Sequence, residues 1–462
     1  HYGTAMDIEW LLDGERGELF IVQARPETVH SQEGNVIRDY RLEEDGEVLA
    51  EGVGIGSRIG SGDVTLLDDP SEMDRFEEGA VLVTERTDPD WEPIMKQAGA
   101  IVTEKGGKTS HAAIVSRELG VPAVVGAAGV RRAVRDGQAV TVDCTGSTGR
   151  VLDGALEYTV DERELDEVPD TETDVMLILG DPSHAFSHAS LPVDGVGLAR
   201  EEFIIASEVG EHPLHLIEQG EEDRYVETLR DGIARIGAAF YPDKVIVRFS
   251  DFKTDEYRGL EGGEQYEDVE SNPMLGWRGA ARYYDDEFRA AFGLECEAIR
   301  QVREDVGLDN VTVMVPFCRT PEEGEKVLDL MDDYGLAPDA VETFVMAEVP
   351  SNIVLADRFA EQFDGFSIGS NDLTQLTLGV DRNSEKLAYL FDESDEAVQR
   401  SISQLIETAH ENGCEVGICG DAPSTIDGYA AFLVEQGIDS ISVTPDVALE
   451  TLETVAAAEQ ED

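Results

Sequence analysis

The sequence predicts an α/β protein whose larger part is a closed barrel of eight βα units, preceded by a smaller β-rich domain. Three observations support this fold class. Short apolar runs alternate with helical patterns over residues 174–462, Gly- and Val-rich runs fill residues 46–153, and residues 154–173 are acidic without an apolar period. Alternating strands and helices indicate a parallel sheet, and eight such units fit a (β/α)8 barrel.

The first 33 residues are predicted to form the end of a further domain. Two strand-like runs, 6–12 and 18–24, flank a turn at 13–17. A two-stranded hairpin is only marginally stable alone. We therefore expect the front of this domain to lie upstream or on another chain.

Residues 46–153 are predicted to form a compact, mostly β domain. Strand-like runs occupy 80–84, 98–103 and 137–144, and one helical stretch covers Ala112–Leu119. The acidic segment 154–173 is predicted to be a linker, and about 20 extended residues can reach up to roughly 65 Å.

Eight short apolar strands are predicted in the last domain, with helical segments such as 322–335 and 396–413 between them. They cover 175–180, 195–199, 244–250, 311–317, 343–349, 365–370, 415–420 and 440–445. A doubly wound open sheet is the alternative arrangement of the same units.

The chain is strongly acidic. It carries 99 Asp and Glu against 35 Lys and Arg, for a formal net charge of −64, yet 41% of its residues are hydrophobic, so it is not a disordered acidic tail. Only seven cations are Lys. Acid spread evenly along well-patterned elements is typical of adaptation to molar salt, where the Debye length falls to roughly 3 Å. The alternative is an ordinary acidic cytosolic protein, and the charge excludes a general nucleic-acid binder.

The cysteines and the hydropathy bear on the cellular location. Five cysteines without paired spacing favour neither disulfides nor a zinc site, and no apolar run approaches the roughly 18 residues of a membrane span. No signal peptide opens the sequence. We expect a cytoplasmic protein.

Chemically capable residues follow the predicted barrel strands. They are Arg248 at the end of the third, Arg319 after the fourth, Glu348 at the end of the fifth, Asn371 and Asp372 after the sixth, and Cys419 at the end of the seventh. Active sites of such barrels lie at the carboxyl ends of the strands. A surface ion pair is the alternative for any one of these charges, but it explains the whole set poorly.

The residue types on this face indicate phosphoryl or enolate chemistry. Glu348 and Asp372 are suited to hold Mg²⁺, which takes one or two carboxylates together with substrate oxygens and water. Arg248, Arg278 and Arg319 offer planar donor forks for a phosphate and a carboxylate. A metal beside arginines suits an enolate or a transferring phosphoryl group.

A second group of residues, 106–111, reads GGKTSH and precedes a helical pattern. Two glycines let backbone approach a ligand, Thr109 or Ser110 can cap the helix, and the helix start favours an anion. Lys105 and Lys108 add positive charge, and His111 is suited to accept a phosphoryl group. The alternative is a capped helix with an incidental histidine.

These motifs resemble the PEP-utilising enzymes, which include pyruvate phosphate dikinase, phosphoenolpyruvate synthase and enzyme I of the sugar phosphotransferase system. EKGGKTSHAAIVSRELGVPAVVG resembles their phosphohistidine signature. SDFKTDEYRGLEGG and NPMLGWRG resemble the synthases more than the dikinases, and VMVPFCRTPEEG, FVMAEVPSN, FSIGSNDLTQLTLGVDR and EVGICGDAPS follow in the same order. The resemblance covers essentially the whole chain and implies a TIM barrel behind a swivelling phosphohistidine domain.

The resemblance also implies an activity, in which ATP, pyruvate and water give PEP, AMP and phosphate through a phosphohistidine. His111 matches the phosphoryl carrier, and Cys419 matches the acid/base at the methyl carbon of pyruvate. Glu348 and Asp372 match the Mg²⁺ ligands. The expected substrate-binding set is Arg248, Arg278, Arg319, Glu348, Ser370, Asn371 and Asp372.

The opening residues resemble the last hairpin of the family's ATP-grasp domain, in which Glu9, Gln23 and Arg25 match positions that hold Mg-nucleotide. The rest of that domain is expected on an upstream segment or a separate chain. We further expect a homo-oligomer that binds pyruvate and PEP, with no nucleic acid or membrane partner. The alternatives are a pyruvate phosphate dikinase, a PEP-dependent phosphocarrier like enzyme I, and a truncated remnant with an interaction role.

Overall fold

The computed structural model describes residues 6–12, 19–26, 36–44, 46–56, 58–107, 110–145, 148–164, 169–381, 384 and 386–461. The predicted first hairpin is confirmed: β1 (Met6–Leu12) and β2 (Leu19–Pro26) pair antiparallel. The register places Glu9 opposite Gln23 and Asp7 opposite Arg25, with a bulge after Glu9.

A two-stranded ribbon brackets the β-rich domain. β3 (Val36–Leu42) pairs antiparallel with β11 (Tyr158–Glu164) along seven residue pairs. The sequence predicted no strand in 154–173, because those residues are acidic and lack an apolar alternation. The backbone pairing with β3 supplies the structure that the side-chain pattern does not indicate.

The seven strands that lie between β3 and β11 in the sequence close into a small barrel in the order β10-β4-β8-β7-β6-β5-β9. The strands are β4 (Val48–Ile55), β5 (Ile59–Leu66), β6 (Val81–Thr84), β7 (Ala100–Thr103), β8 (Ala123–Val125), β9 (Ala139–Asp143) and β10 (Thr148–Asp153), and the helices are α1 (Glu92–Met95), α2 (His111–Leu119) and α3 (Val130–Ala133). Small β-branched residues pack on both faces of these strands, so the domain has two apolar clusters, one of which contacts α1 and α2.

The eight-stranded barrel is confirmed, and the open-sheet alternative is wrong. The strands are β12 (Asp174–Leu179), β13 (Gly195–Arg200), β14 (Lys244–Arg248), β15 (Val311–Val315), β16 (Thr343–Ala347), β17 (Gly365–Ile368), β18 (Glu415–Ile418) and β19 (Ser440–Val443). Neighbours in sequence pair in parallel, and β12 pairs with β19 to close the sheet. Their side chains alternate between the interior and the helical layer: Ile246 and Phe344 lie in the inner cluster, and Val245 and Val345 lie in the outer one.

The helices of this domain cover the barrel. They are α4 (Ala185–His188), α5 (Glu201–Ile204), α6 (Pro213–Gln219), α7 (Glu222–Phe240), α8 (Thr254–Gly259), α9 (Ala280–Tyr283), α10 (Arg289–Gln301), α11 (Pro321–Asp333), α12 (Pro350–Val354), α13 (Ala356–Ala360), α14 (Ser370–Leu378), α15 (Glu396–Glu411), α16 (Ala422–Thr425), α17 (Tyr429–Glu435) and α18 (Ala448–Glu461). Among the helices of the described ranges, none has both the length and the apolar character needed to cross a bilayer.

Two glutamates are buried together near the end of β14, the third strand of the large barrel. Glu201 begins α5 and Glu295 lies in α10, and both are fully buried. Glu295 accepts hydrogen bonds from the N–H and the Oγ–H of Ser250, at 3.1 and 2.6 Å, whereas no residue in the described part of the chain donates to Glu201. Burial and the adjacent charge of Glu295 raise the pKa of Glu201 well above its usual value. Glu201 therefore keeps its proton and shares it with Glu295.

The variant Glu201→Gln is expected to stabilise the protein, and to do so more at pH 8 than at pH 5. The folded state holds a proton that the unfolded carboxyl releases above its ordinary pKa of 4.5, so the stability of the wild type falls as the pH rises. The amide of a glutamine at 201 can donate the hydrogen bond that protonated Glu201 donates to Glu295, and an amide does not titrate. We expect a gain of about 1–3 kcal/mol in the free energy of unfolding at pH 8.

Thermal unfolding at the two pH values in molar KCl measures this gain. Glu227→Gln on the exposed face of α7 is the matched control and should change little at either pH. A gain from Glu201→Gln that is equal at pH 5 and pH 8 would contradict the shared proton.

Candidate active site

The barrel strands bring the predicted residues to one rim. Arg248 is the last residue of β14, Glu348 directly follows β16, and Cys419 directly follows β18. Asn371 and Asp372 lie in the first turn of α14, which follows β17. All of these positions are at the carboxyl ends of parallel strands, where the loops of such barrels form active sites.

Arg278 lies between two carboxylates of this rim. Its Nε donates to Asp251 Oδ1 at 3.0 Å, and its Nη2 pairs with both Asp251 and Asp372, the latter at 3.1 Å. Burial disfavours its charge, but Asp251 and Asp372 raise the pKa of Arg278 well above its usual value. The guanidinium is therefore charged and fixed in orientation.

Glu348 is almost completely buried, at 3% exposure, beside the same charges. Its Oε1 accepts a hydrogen bond of 2.7 Å from the backbone N–H of Phe317. Burial, followed by the charges of Asp372 and Asp251, raises the pKa of Glu348. A cation placed between Glu348 and Asp372 would remove this repulsion.

These two carboxylates fit a magnesium ion. Within the described ranges, no three His, Cys, Asp or Glu side chains form a metal cage. Mg²⁺ does not need one, because it accepts one or two carboxylates and completes its shell with water and substrate oxygens. Gly369 keeps the approach open, since a Cβ there would lie 3.1 Å from Glu348 Oε2.

Arg248 has a donor available for an anion. Its Nη2 pairs with Glu202 at 2.9 Å, and its Nε–H is buried with no hydrogen-bond partner among the described residues. Burial works against its charge, but Glu202 and Asp251 raise the pKa of Arg248 above its usual value. A buried, unpaired cationic donor is costly unless a ligand completes it.

Cys419 is a buried thiol close to this cation. The Oγ–H of Ser367 donates to its Sγ at 3.2 Å, and Sγ lies 3.6 Å from the carbonyl oxygen of Ile368. Burial raises the pKa of Cys419 to about 11, although Ser367 and Arg248 act in the opposite direction. Cys419 is therefore a protonated thiol at neutral pH. It can donate a proton, but it is not the thiolate that a nucleophile would require.

Three other predicted residues contact protein groups at this rim. Arg319 Nη2 donates to the carbonyl oxygen of Gly276 at 2.6 Å, and the hydroxyl of Ser370 donates to Glu393 at 2.5 Å. Asn371 Nδ2 donates to Asp421 at 3.3 Å.

His111 begins α2 on the smaller barrel. Its Nδ1 lies 3.0 Å from Thr87 Oγ1, and its Nε2 is buried without a hydrogen-bond partner among the described residues. Burial lowers the pKa of His111 to about 4, although Glu256 on α8 acts in the opposite direction. The imidazole is therefore neutral, as a nitrogen nucleophile must be.

The loop before His111 differs in part from its prediction. Ser110 occupies the N-cap position, but its side chain makes no capping hydrogen bond, and Lys108 and Thr109 lie outside the described residues. Lys105 pairs with Glu85 at 2.5 Å. Gly106 has a φ of 124°, and a Cβ there would lie 2.8 Å from Ser110 Oγ, so the position favours glycine. The approach of this backbone to a ligand stays a prediction.

Helix α2 packs against the large barrel. Arg117 on α2 lies 3.4 Å from Asp421, the same carboxylate that accepts the amide of Asn371. A second pair, Lys96 with Asp181 at 2.6 Å, also joins the two barrels. A cleft of about 1450 Å³ runs between the His111 loop and the rim. The loop before His111 and the carboxyl ends of β17, β18 and β19 therefore line one cleft.

The predicted nucleotide residues lie on the first hairpin. Glu9 and Gln23 are direct partners across β1 and β2, and Arg25 is two residues further along β2. Their side chains lie outside the described part of the structure, so their contacts stay a prediction.

Sequence reasoning did not single out several residues that hold the site: Glu202, Asp251, Phe317, Thr87 and Asp421. Two of them are carboxylates that could have been found, because Asp251 and Asp421 stand within three residues of a strand-end candidate. The others carry no local signal. They matter through contacts with residues far away in the sequence.

Family models match the three parts of the chain. Residues 158–460 match a model described as PEP-utilising enzyme, PEP-binding domain, and residues 76–147 match PEP-utilising enzyme, mobile domain. Residues 1–45 match pyruvate phosphate dikinase, AMP/ATP-binding domain.

Curated relatives named phosphoenolpyruvate synthase are similar along nearly the whole chain. That of Synechocystis sp. is 52% identical over 99% of this chain and 59% of its own length. Those of Aquifex aeolicus and Escherichia coli are each 50% identical, over 99% and 98% of this chain and 62% and 60% of their own length. This chain thus spans about 60% of the length of these relatives, and it belongs to the PEP-utilising enzymes.

Proposed function

We propose that this chain carries the PEP and pyruvate half-reaction of a phosphoenolpyruvate synthase. One juxtaposition supports this most directly. His111 is neutral, its Nε2 has no hydrogen-bond partner in the ranges that the structure describes, and its helix packs against the barrel rim that holds Arg248, Arg278 and the Cys419 thiol. The complete reaction, from pyruvate, ATP and water to PEP, AMP and phosphate, is proposed for the longer protein.

In the PEP direction, the phosphorus–oxygen bond of PEP breaks as His111 Nε2 forms a phosphorus–nitrogen bond. We assign the ring proton of neutral His111 to Nδ1, from which it would be donated in a hydrogen bond to Thr87 Oγ1 at 3.0 Å, and this leaves the lone pair on Nε2. The electron pair stays on the enolate oxygen, and the methylene carbon takes the proton of the Cys419 thiol to give pyruvate. Pyruvate and phospho-His111 return to PEP by the reverse steps.

The charged residues of the rim would hold the substrate. We assign Arg248 and Arg278 to the phosphoryl and carboxylate groups, since both are cationic, Arg278 is buried and Arg248 is largely buried. Glu348 and Asp372 would hold Mg²⁺, which would offset negative charge on the enolate and phosphoryl oxygens. Arg319, Ser370 and Asn371 complete the proposed substrate set.

The remaining proposals concern the longer protein. The hairpin residues Glu9, Gln23 and Arg25 would contact Mg-nucleotide together with an ATP-grasp segment, on the same chain or a partner. We propose domains at 1–33, 46–153 and 174–462, with 154–173, which includes strand β11, joining the last two. We further propose a cytoplasmic homo-oligomer.

The half-reaction is expected to proceed in this chain alone. Incubation with ³²P-labelled PEP and Mg²⁺ in molar KCl should transfer label to His111 and release one pyruvate per labelled histidine. Label is followed by phosphohistidine analysis of a peptide digest, and pyruvate is followed by a coupled assay. Chelation of the metal with EDTA should lower the rate at least 100-fold, because transition-state charge is then less stabilised. Label on another residue, or none, would refute the proposal.

A further inference from the structure

Phe317 has an unusual backbone. Its φ is 44°, and it is the one non-glycine residue in the described ranges with a positive φ. A side chain with a β-carbon rarely adopts this conformation, and it persists only where the surroundings enforce it. Phe317 stands two residues after β15, on the rim that holds the site.

The loop that carries Arg278 enforces this conformation. Gly279 packs so closely on Phe317 that a Cβ there would lie 2.6 Å from Phe317 Cβ and 2.6 Å from the carbonyl oxygen of Pro316. The N–H of Ala280 donates to that same carbonyl at 3.1 Å. The two loops therefore fix each other.

The ring of Phe317 lies among cations. It is 3% exposed, and the guanidinium carbons of Arg278 and Arg319 lie 4.1 and 4.7 Å from its centroid. The negative face of an aromatic ring attracts a guanidinium within about 6 Å, and more strongly where water is excluded. The ring is also outside the apolar clusters of the barrel. Its environment is thus the charged site rather than the core.

The backbone of the same residue holds the acidic side of the site. The N–H of Phe317 donates to Glu348 Oε1 at 2.7 Å. One oxygen of Glu348 is thereby used, and Oε2 lies beside Gly369. A single residue therefore orients two arginines through its ring and one carboxylate through its amide.

We propose that Phe317 is a positioning residue for PEP binding, through the guanidinium groups that its ring fixes. The inference rests on the proposed function, since Arg278 and Arg319 are assigned to the substrate there. A leucine fills much of the same space but has no aromatic face. A glycine removes the ring, adopts the positive φ without strain and keeps the amide for Glu348.

The test compares four variants of the full chain. Phe317→Leu and Phe317→Gly should each weaken PEP binding about 10-fold, and raise the KM for phosphorylation of His111 by the same factor, while kcat changes less than threefold. Phe317→Tyr keeps the aromatic face and should restore binding to within threefold of the wild type. The control Phe344→Leu removes a buried ring from the barrel interior, so it should lower the melting temperature and leave PEP affinity unchanged.

Two measurements separate this inference from the proposed function. Calorimetry gives the affinity for PEP without any reaction, and the ³²P assay gives transfer to His111. The inference is overturned if Phe317→Leu binds PEP as the wild type does, if tyrosine fails to restore binding, or if the wild type does not bind PEP. Wild type that binds PEP without labelling His111 would instead refute the function and leave the affinity comparison valid.

Discussion

A chain with His111→Asn is expected to take no phosphate from PEP. Nε2 of His111 is buried without a hydrogen-bond partner in the described part of the chain, and burial lowers the pKa of the ring to about 4, so its lone pair is available at neutral pH. An asparagine amide has no such lone pair. Labelling from ³²P-PEP should therefore fall to background, a loss of more than about 1000-fold, as expected when a covalent nucleophile is removed.

The His111→Asn variant should still catalyse proton exchange of pyruvate at the large barrel. His111 belongs to the smaller barrel, whereas Cys419, Arg248 and Arg278 belong to the large one. Exchange of the methyl protons of pyruvate with deuterated water, followed by NMR, should therefore continue within threefold of the wild-type rate.

The matched control for this variant is His410→Asn. His410 is a half-exposed histidine on α15 that pairs with Asp439 at 2.8 Å, away from the rim. It should take label at the wild-type rate. Label retained by His111→Asn, or lost equally in both variants, would contradict the assignment of the phosphoryl carrier.

The sequence predicted those features of the fold that depend on local pattern. The eight strands and the rim residues Arg248, Glu348 and Cys419 followed from apolar runs and from what stands at their ends. A parallel barrel strand is buried on both faces, so its sequence is a continuous apolar run that is readily identified. The residue after such a run must lie at the rim.

Other features depend on contacts between distant segments, and the sequence gives no local sign of them. Strand β11 is acidic and forms by pairing with β3, more than a hundred residues earlier. The positive φ of Phe317 is set by Gly279 on another loop, and no glycine stands at 317 to indicate it. Thr87 becomes relevant only because His111, 24 residues later, folds back onto it.

The capping prediction at Ser110 shows a related limit. Residue type indicated Thr109 or Ser110 as the N-cap, and Ser110 occupies that position, but its side chain makes no hydrogen bond to the helix. It lies against Gly106, where even a Cβ would be too close. The preference of serine for the N-cap position therefore does not determine which hydrogen bond or contact its side chain makes there.

A chain with Cys419→Ala is expected to lose proton exchange at the methyl carbon of pyruvate. The thiol is the proton donor proposed for that carbon, and it lies beside Arg248 and Ser367 on the rim. Removal of a general acid or base costs about 10²- to 10⁴-fold, and we expect a loss near the middle of that range. Exchange is measured by NMR in deuterated water, with Mg²⁺ and pyruvate in excess.

The rate of proton exchange at the methyl carbon of pyruvate should also depend on pH through the ionisation of Cys419. Burial raises the pKa of Cys419 to about 11, so the thiolate that removes a proton from pyruvate is a small fraction at pH 7 and grows about tenfold for each pH unit toward 10. Exchange by the wild type should rise along that line between pH 7 and 9. Proton donation to the enolate, in the opposite direction, should stay constant over the same range.

Cys414→Ala provides the matched control, because both cysteines are buried and flank the same strand, β18 (Glu415–Ile418). Cys414 lies at the amino end, against the carbonyl oxygen of Phe363, so its loss should affect stability and not exchange. If the two variants exchange at the same rate, the proton is handled by another group. If Cys419→Ala loses exchange while phosphate transfer from PEP to His111 is slowed but not abolished, the two chemical roles belong to the two barrels separately. That outcome is expected, because the phosphoryl group is transferred to His111, whereas the proton is delivered from Cys419, which directly follows β18.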